Sequence, residues 1–285
     1  MLFALHYVIM KFHGKIFDLA RLNIHIGQTS QGECGSYILL YEILYYQYEV
    51  KGSVKTKIKE IPRDVAEKLI NVNREKLMVY ADALSKANVR ARLTGSIDYR
   101  DIFDEHIIDC AMALPLLPLK AKVIDIGTGG GLPGIVWAIC RSDVSVVLLD
   151  SVKKKCAALE DIVRILSLEN VQVCCARAEE FASLNQEKYD VATARAVAHL
   201  GVLLEYFSPF VKIGGKCIAL KGPRAFEELK EFHGKEKVLG WSELEIWGYD
   251  TSGKRLFIFT WQKTSDAEIK LPRRVGVPEK RPWWR

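Results

Sequence analysis

The stretch Lys122–Gly134, KVIDIGTGGGLPG, decides how this chain is read. Val123, Ile124 and Ile126 make a short apolar strand that carries Asp125 near its end. The strand runs into Gly127, Gly129, Gly130 and Gly131, and a helix opens at Pro133. Glycines accept positive φ and carry no Cβ, so such a loop lets a ligand touch bare backbone. Gly129, Gly131 and Gly134 also fit the spacing G-x-G-x-x-G, a weak match taken alone. Asp125 separates the ligands. A carboxylate beside the loop repels a pyrophosphate and attracts the ammonium and sulfonium charges of S-adenosylmethionine. Methyl transfer is therefore the reaction these residues favour.

Outward from the loop, residues 120–262 alternate strand and helix. Strands are expected at Val144–Leu149, Val171–Cys175, Asp190–Thr193 and Lys216–Lys221, with helices from Ser151 to about Leu168, from Leu200 to Val211 and over Ala225–His233. Glu245–Tyr249 and Arg255–Trp261 have no helix between them, only a turn at Ser252-Gly253, and so are expected to pair antiparallel. Repeated βα units closed by a hairpin predict a doubly wound α/β sheet, with ligands at the carboxyl ends of the strands. Before the loop, Leu77, Ala81 and Leu84 share one helix face, and Phe103, Ile107, Cys110 and Leu114 share another, up to Pro115 and Pro118. Four segments result: a poorly readable extension and linker (1–60), a helical preface (61–118), the catalytic α/β domain (119–264) and a basic tail (265–285). The first fifty residues read as a loose extension or as sequence upstream of the true start.

Composition narrows the class. A net charge of +6 over 285 residues is mild, and its distribution says more than its sum. The tail KLPRRVGVPEKRPWWR (270–285) holds six cations against one acid and is not expected to fold alone; Trp283 and Trp284 could stack on bases, and a solubilising or disordered tail is the equal alternative. Seven scattered cysteines form no C-x-x-C, which leaves free thiols in a reducing compartment as the expectation. No apolar run reaches the ~18 residues needed to cross a bilayer. The block 37–46 is short and interrupted by Glu42. A soluble, cytoplasmic monomer is expected.

Asp150 ends the second strand, 19 residues beyond Gly131, where an acid accepts ribose hydroxyls. That supports a nucleoside ligand without choosing between NAD and S-adenosylmethionine; a helix N-cap is the lesser alternative. Arg177-Ala178-Glu179-Glu180 follows the third strand, where a backbone N–H and a polar side chain can read an adenine edge; a solvated charge run is the alternative. Arg195, after the fourth strand, places a cation at the active face, either to hold a phosphate or to orient a carboxylate; a surface salt bridge of little consequence is the alternative. His106 and Asp109 stand three apart on a preface helix, half a metal site at most, and a structural hydrogen bond is the better reading. No metal is expected. Motifs for exocyclic-amine methylation, a Pro-Cys nucleophile, H-E-x-x-H and G-x-S-x-G are missing.

Together the blocks HIIDC (106–110), VIDIGTGGGLPGIVWAI (123–139), LLDSVKKKCAALEDI (148–162), LENVQVCCARAEEF (168–181), YDVATARAV (189–197), ALKG (219–222) and LPRRVGVPEK (271–280) resemble the glucose-inhibited division protein B family of bacterial 16S ribosomal RNA guanine-N7 methyltransferases. The resemblance implies a class I methyltransferase fold (a Rossmann-like doubly wound sheet with an antiparallel C-terminal hairpin). It implies S-adenosyl-L-methionine as cofactor and 16S ribosomal RNA or the small ribosomal subunit as partner, with a guanine in the 530-loop region as target. Family cofactor contacts fall on Gly127, Leu132, Ala178, Glu179 and Arg195, beside the residue-level candidates Asp125, Gly129, Gly131 and Asp150. Arg195 and Lys221 are expected to orient substrate and, with Arg273, Arg274 and Lys280, to bind RNA. Two departures stand in the preface: NVRARLTG (88–95) keeps only Leu93-Thr94 of the family's Asn-Leu-Thr motif, and Cys110 replaces a usual serine. Three rivals remain open: a small-molecule methyltransferase with the same cofactor residues, an NAD-dependent oxidoreductase, which Asp125 disfavours, and a non-catalytic nucleotide- or RNA-binding module.

Overall fold

The structure is a computed structural model that describes the backbone of residues 9–12 and 15–18, and residues 56–95, 98–185 and 188–285. The chain divides into two units, Met1–Val50 and Lys51–Arg285. In the first, β1 (Ile9–Phe12) pairs antiparallel with β2 (Lys15–Asp18). The apolar block 37–46 lies outside the described residues.

The second unit is built on an eight-stranded sheet. Its strands are β3 (Ile58–Glu60), β4 (Lys122–Ile126), β5 (Ser145–Asp150), β6 (Val171–Cys175), β7 (Tyr189–Arg195), β8 (Val211–Lys221), β9 (Trp241–Thr251) and β10 (Lys254–Lys263), in the order β3-β9-β10-β8-β7-β4-β5-β6. The run from β8 to β6 is parallel, and β10 enters antiparallel between β8 and β9. The expected hairpin is present, closed by Ser252 and Gly253 at φ 47° and 70°, which the twist of a two-residue turn requires. Its second strand lies inside the sheet because Phe257–Trp261 is buried residue after residue, as a strand covered on both faces must be. The strands β7 to β10 run longer than expected, and the helices expected to reach Leu168 and His233 stop at Ile165 and Lys230. Pro209 follows the helix expected to reach Val211; the helix ends at Phe207, and Val211 already belongs to β8. The strand β3, inside the expected extension, pairs with β9 and so belongs to the sheet.

The preface begins with α1 (Arg63–Val72) and α2 (Arg74–Ala91), which buries Leu77, Ala81 and Leu84 completely, as the periodicity predicts. Next, α3 (Tyr99–Asp101), capped by the Asp98 carboxylate, runs through a π-helical stretch (Ile102–Ile107) into α4 (Ile108–Ala111). Phe103, Ile107, Cys110 and Leu114 are buried, again as expected. The helices α5 (Gly134–Cys140), α6 (Lys153–Ile165), α7 (Ala178–Leu184), α8 (Leu200–Phe207) and α9 (Ala225–Lys230) follow the strands, and α10 (Val277–Lys280) lies in the tail.

The tail departs most from its sequence reading. Arg273 forms a bidentate pair with Glu205 of α8 at 2.6 and 2.5 Å, and Glu205 is 2% exposed. Trp283 donates its indole N–H to the Gly201 carbonyl (2.8 Å). Trp284, 6% exposed, stacks on His199 with ring centroids 4.9 Å apart. Both tryptophans therefore pack into the fold instead of standing free for bases. An indole is the largest apolar surface the tail can remove from water, and α8 supplies a glycine, Gly201, to receive it.

Candidate active site

The glycine loop is held from beneath by two acids. Asp125 is completely buried. Its Oδ2 accepts from Thr128 Oγ1 (2.6 Å) and from the Gly134 amide (2.9 Å), tying both ends of the loop to the strand end. Its Oδ1 is buried without a hydrogen-bond partner among the described residues. Burial pushes the Asp125 carboxyl up to about 6, against the bonds from Thr128 and Gly134 and the pull of Arg195. Asp125 thus stands behind the loop as its clamp, with one oxygen left over. Asp150, at the end of β5, accepts the Gly129 amide (3.1 Å) and the Val152 amide (2.9 Å), so it fixes the loop and the turn into α6 together.

Gly127 has φ +67°, and a Cβ there would lie 2.8 Å from Val197; this position admits only glycine without rearrangement. On the outer side, Tyr80 donates its hydroxyl to the Gly130 carbonyl at 2.8 Å, and a Cβ on Gly130 would meet Leu84, Leu93 and Thr94. The Asn88 amide oxygen accepts from Thr94 at 2.9 Å and from Leu93, which explains what the surviving Leu93-Thr94 pair does: it braces the loop. Leu132 is 5% exposed at the loop's far end.

Ala178 and Glu179 begin α7 just beyond β6. The Glu179 carboxylate accepts the amide of Gly276 in the tail (3.0 Å). Its side chain is therefore turned to the tail.

Arg195 ends β7, followed by Ala196 in the left-handed region at φ 56°. It donates Nη1 to Asp109 Oδ2 (2.8 Å), and Asp109 Oδ1 accepts the Tyr249 hydroxyl (2.5 Å). Of the i, i+3 pair noted in the preface, Asp109 binds Arg195 and Tyr249, while His106 lines the cleft beside them. Among the described residues no group of three or more His, Cys, Asp and Glu side chains could hold a metal ion. Lys221, ending β8, is paired with Glu228 (2.7 Å) and donates to the Ala198 carbonyl (2.9 Å). A cleft of about 460 Å³ lies at these strand ends, lined by His106, Asp109, Arg195, Lys221, Arg224 and Lys254. Burial, helped by Arg195, lowers the His106 imidazole below its usual value, which favours its neutral form.

Of the sequence candidates, Asp125, Gly127, Gly129, Gly131, Leu132 and Asp150 are brought together at the loop, and Arg195 and Lys221 at the cleft. Arg274 and Lys280 are exposed in the tail, whereas Arg273 is bound internally to Glu205. Tyr80, Asn88 and Tyr249 were not singled out in the sequence. Their partners lie outside any local motif; only the apolar faces that carry Tyr80 and Tyr249 hinted at burial.

A parallel sheet with β10 inserted antiparallel beside β8, and a glycine loop with buried acids at the ends of β4 and β5, define a class I methyltransferase. Family membership is equally direct. The model of the GidB family, rRNA small subunit methyltransferase G, matches residues 73–256. A ribosomal RNA small subunit methyltransferase G from Clostridium perfringens is 39% identical over 217 residues, covering 73% of this chain and 90% of that protein. The protein of that name from Pseudothermotoga lettingae is 35% identical over 227 residues, covering 79% and 99%. Among solved structures, the O-methyltransferase TomG from Streptomyces achromogenes, in complex with S-adenosylmethionine, has a TM-score of 0.45 at 16% identity, over 65% of this chain and 90% of that one. The chain belongs to the rRNA small subunit methyltransferase G family. It is an S-adenosylmethionine-dependent rRNA methyltransferase. The oxidoreductase and non-catalytic readings fall away. No helix among the described residues is long and apolar enough to cross a membrane.

Proposed function

We propose that this enzyme methylates N7 of a guanine in the 530-loop region of 16S ribosomal RNA, with the base bound in the cleft between Arg195 and Lys221. The observation that carries this reading is the placement of that cleft: it opens at the ends of β7 and β8, and β7 pairs directly with β4, the strand that runs into the glycine loop. The residues present also fit the cofactor. Asp125 Oδ1 is a buried acceptor with no donor among the described residues, the group an ammonium would satisfy. Asp150 sits at the strand end where a ribose diol is received, and the wall at Ala178-Glu179 offers backbone to an adenine edge.

When bound, S-adenosylmethionine supplies an electrophilic methyl group. The residues of this chain then have one task, which is to hold N7 in line with it; such orientation is worth ~7–11 kcal/mol. N7 of guanine carries an exposed lone pair on the major-groove edge and loses no proton when it attacks. The Asp109 carboxylate at the cleft is already engaged by Arg195 and Tyr249, which suits a reaction that needs no general base. Arg224 and Lys254 at the cleft, with Arg274 and Lys280 in the tail, supply phosphate contacts that fix the RNA without reading its sequence. Acting on ribosomal RNA would place the enzyme in the cytoplasm.

The test is methylation of 16S RNA and of small subunits with radiolabelled S-adenosylmethionine, followed by chemical cleavage specific for N7-methylguanine. One cleavage in the 530-loop region is expected. Label on another atom, or label accepted only by small molecules, would overturn the proposal.

A further inference from the structure

Arg195 is not placed by its own strand alone. Its guanidinium is held by Asp109, which is 86 residues earlier in the chain, and Asp109 is in turn held by Tyr249, 140 residues away from it. Each comes from a different element: α4 of the preface, β7 of the parallel sheet and β9 of the hairpin. All three are largely buried: Asp109 is 6% exposed, Tyr249 1%, and the Arg195 side chain 18%. The Asp109 carboxylate uses one oxygen for each partner, so it can rotate toward one only by releasing the other. A π-helical stretch immediately before α4, a departure found mostly at functional sites, sets the phase at which Asp109 meets the sheet.

An unpaired carboxylate at this depth would be costly, and so would an arginine without its partner. Stability alone, however, does not require a charged triad drawn from three elements; apolar side chains would fill the same volume. What the triad adds is direction. The bond from Nη1 to Asp109 leaves Nε and Nη2 as the donors for a ligand, and both Asp109 and Arg195 line the cleft. A guanidinium fork is useful only when its plane is fixed.

We propose that Asp109 and Tyr249 are positioning residues for methyl transfer, holding the plane of the Arg195 guanidinium in the cleft, so that preface and hairpin both belong to the catalytic apparatus. The inference rests on Arg195 contacting the reactants, as proposed above, and the test separates the two statements.

The test is a double-mutant cycle on the full chain, with turnover per S-adenosylmethionine-binding site measured on 16S RNA. The variants are Asp109→Asn, Tyr249→Phe, Arg195→Ala and each pair with Arg195→Ala. Asp109→Asn is expected to lower kcat about 10- to 100-fold, the scale of a misplaced contact. The KM for RNA should stay within about twofold, because phosphate contacts elsewhere set RNA affinity. Tyr249→Phe, which removes one hydrogen bond, should cost about two- to tenfold. In the Arg195→Ala background neither substitution should cost anything further. Equal losses in both backgrounds, or no loss from Asp109→Asn in the wild type, would overturn the inference. An Arg195→Ala enzyme with full turnover would overturn the role given to Arg195 itself. Should Asp109→Asn not fold, the Tyr249→Phe cycle decides alone: a loss that disappears in the Arg195→Ala background supports the inference, and an equal loss in both overturns it.

Discussion

The glycine loop and the C-terminal tail both stand out in the sequence by composition, and they fare differently in the structure. Around the loop the decisive bonds are short in sequence: Asp125 binds Thr128 and Gly134, three and nine residues away. In the tail they are long. Arg273 reaches back 68 residues to Glu205, Trp283 reaches 82 to Gly201, and Gly276 reaches 97 to Glu179. A cluster whose partners are its neighbours can be read from the chain. A cation or an indole whose partner lies far away cannot, because its residue type is the same whether it faces RNA, water or a buried carboxylate.

The largest expected effect tests the tail as a structural element. Arg273→Ala strands the buried Glu205 carboxylate and should destabilise the protein by about 3 kcal/mol, read by denaturant unfolding. If stability is unchanged, the tail is an appendage and the contrast with the loop collapses.

Next comes the loop. Asp125→Asn keeps the shape and an acceptor for Thr128 but removes the charge offered to the cofactor. Calorimetry should show S-adenosylmethionine binding weakened by about 2 kcal/mol. The same residue gives a pH signature. Its folded value, about 6, lies above that of an unfolded carboxyl, so the stability it contributes is present at low pH and is lost as pH rises through about 6. Cofactor affinity should move the opposite way, rising through that range as the carboxylate forms, and Asp125→Asn should flatten the curve.

Gly201→Ala places a Cβ 2.5 Å from the Trp284 ring and should lower the melting temperature by an amount equivalent to about 1–2 kcal/mol. The smallest effect is expected of Arg274→Ala. Stability should hold, while the slope of log RNA affinity against log salt should fall by about one. A stability loss here with no change in slope would reverse the roles assigned to the two neighbouring arginines.

Much of the fold was legible for the same reason as the loop. Strand periodicity, the Ser252-Gly253 turn and the helical spacing of Leu77, Ala81 and Leu84 are local signals, and the structure follows them. The helix after β7 read too long because its apolar run continues past Pro209 into β8. At the site, the loop glycines, Asp150 and Arg195 were visible as types at strand ends. That Asp109 binds Arg195, that Tyr80 holds Gly130 and that Glu179 turns to the tail were not visible, since each joins elements that only packing brings together.

By itself, then, the sequence determined a βα succession with a glycine loop, an acid behind it and a second acid one strand later. Only the tertiary structure decided which cations are free and which are bound. Burial makes an unpaired charge expensive, so each buried one must find a partner, and where that partner lies in the chain is a matter of packing.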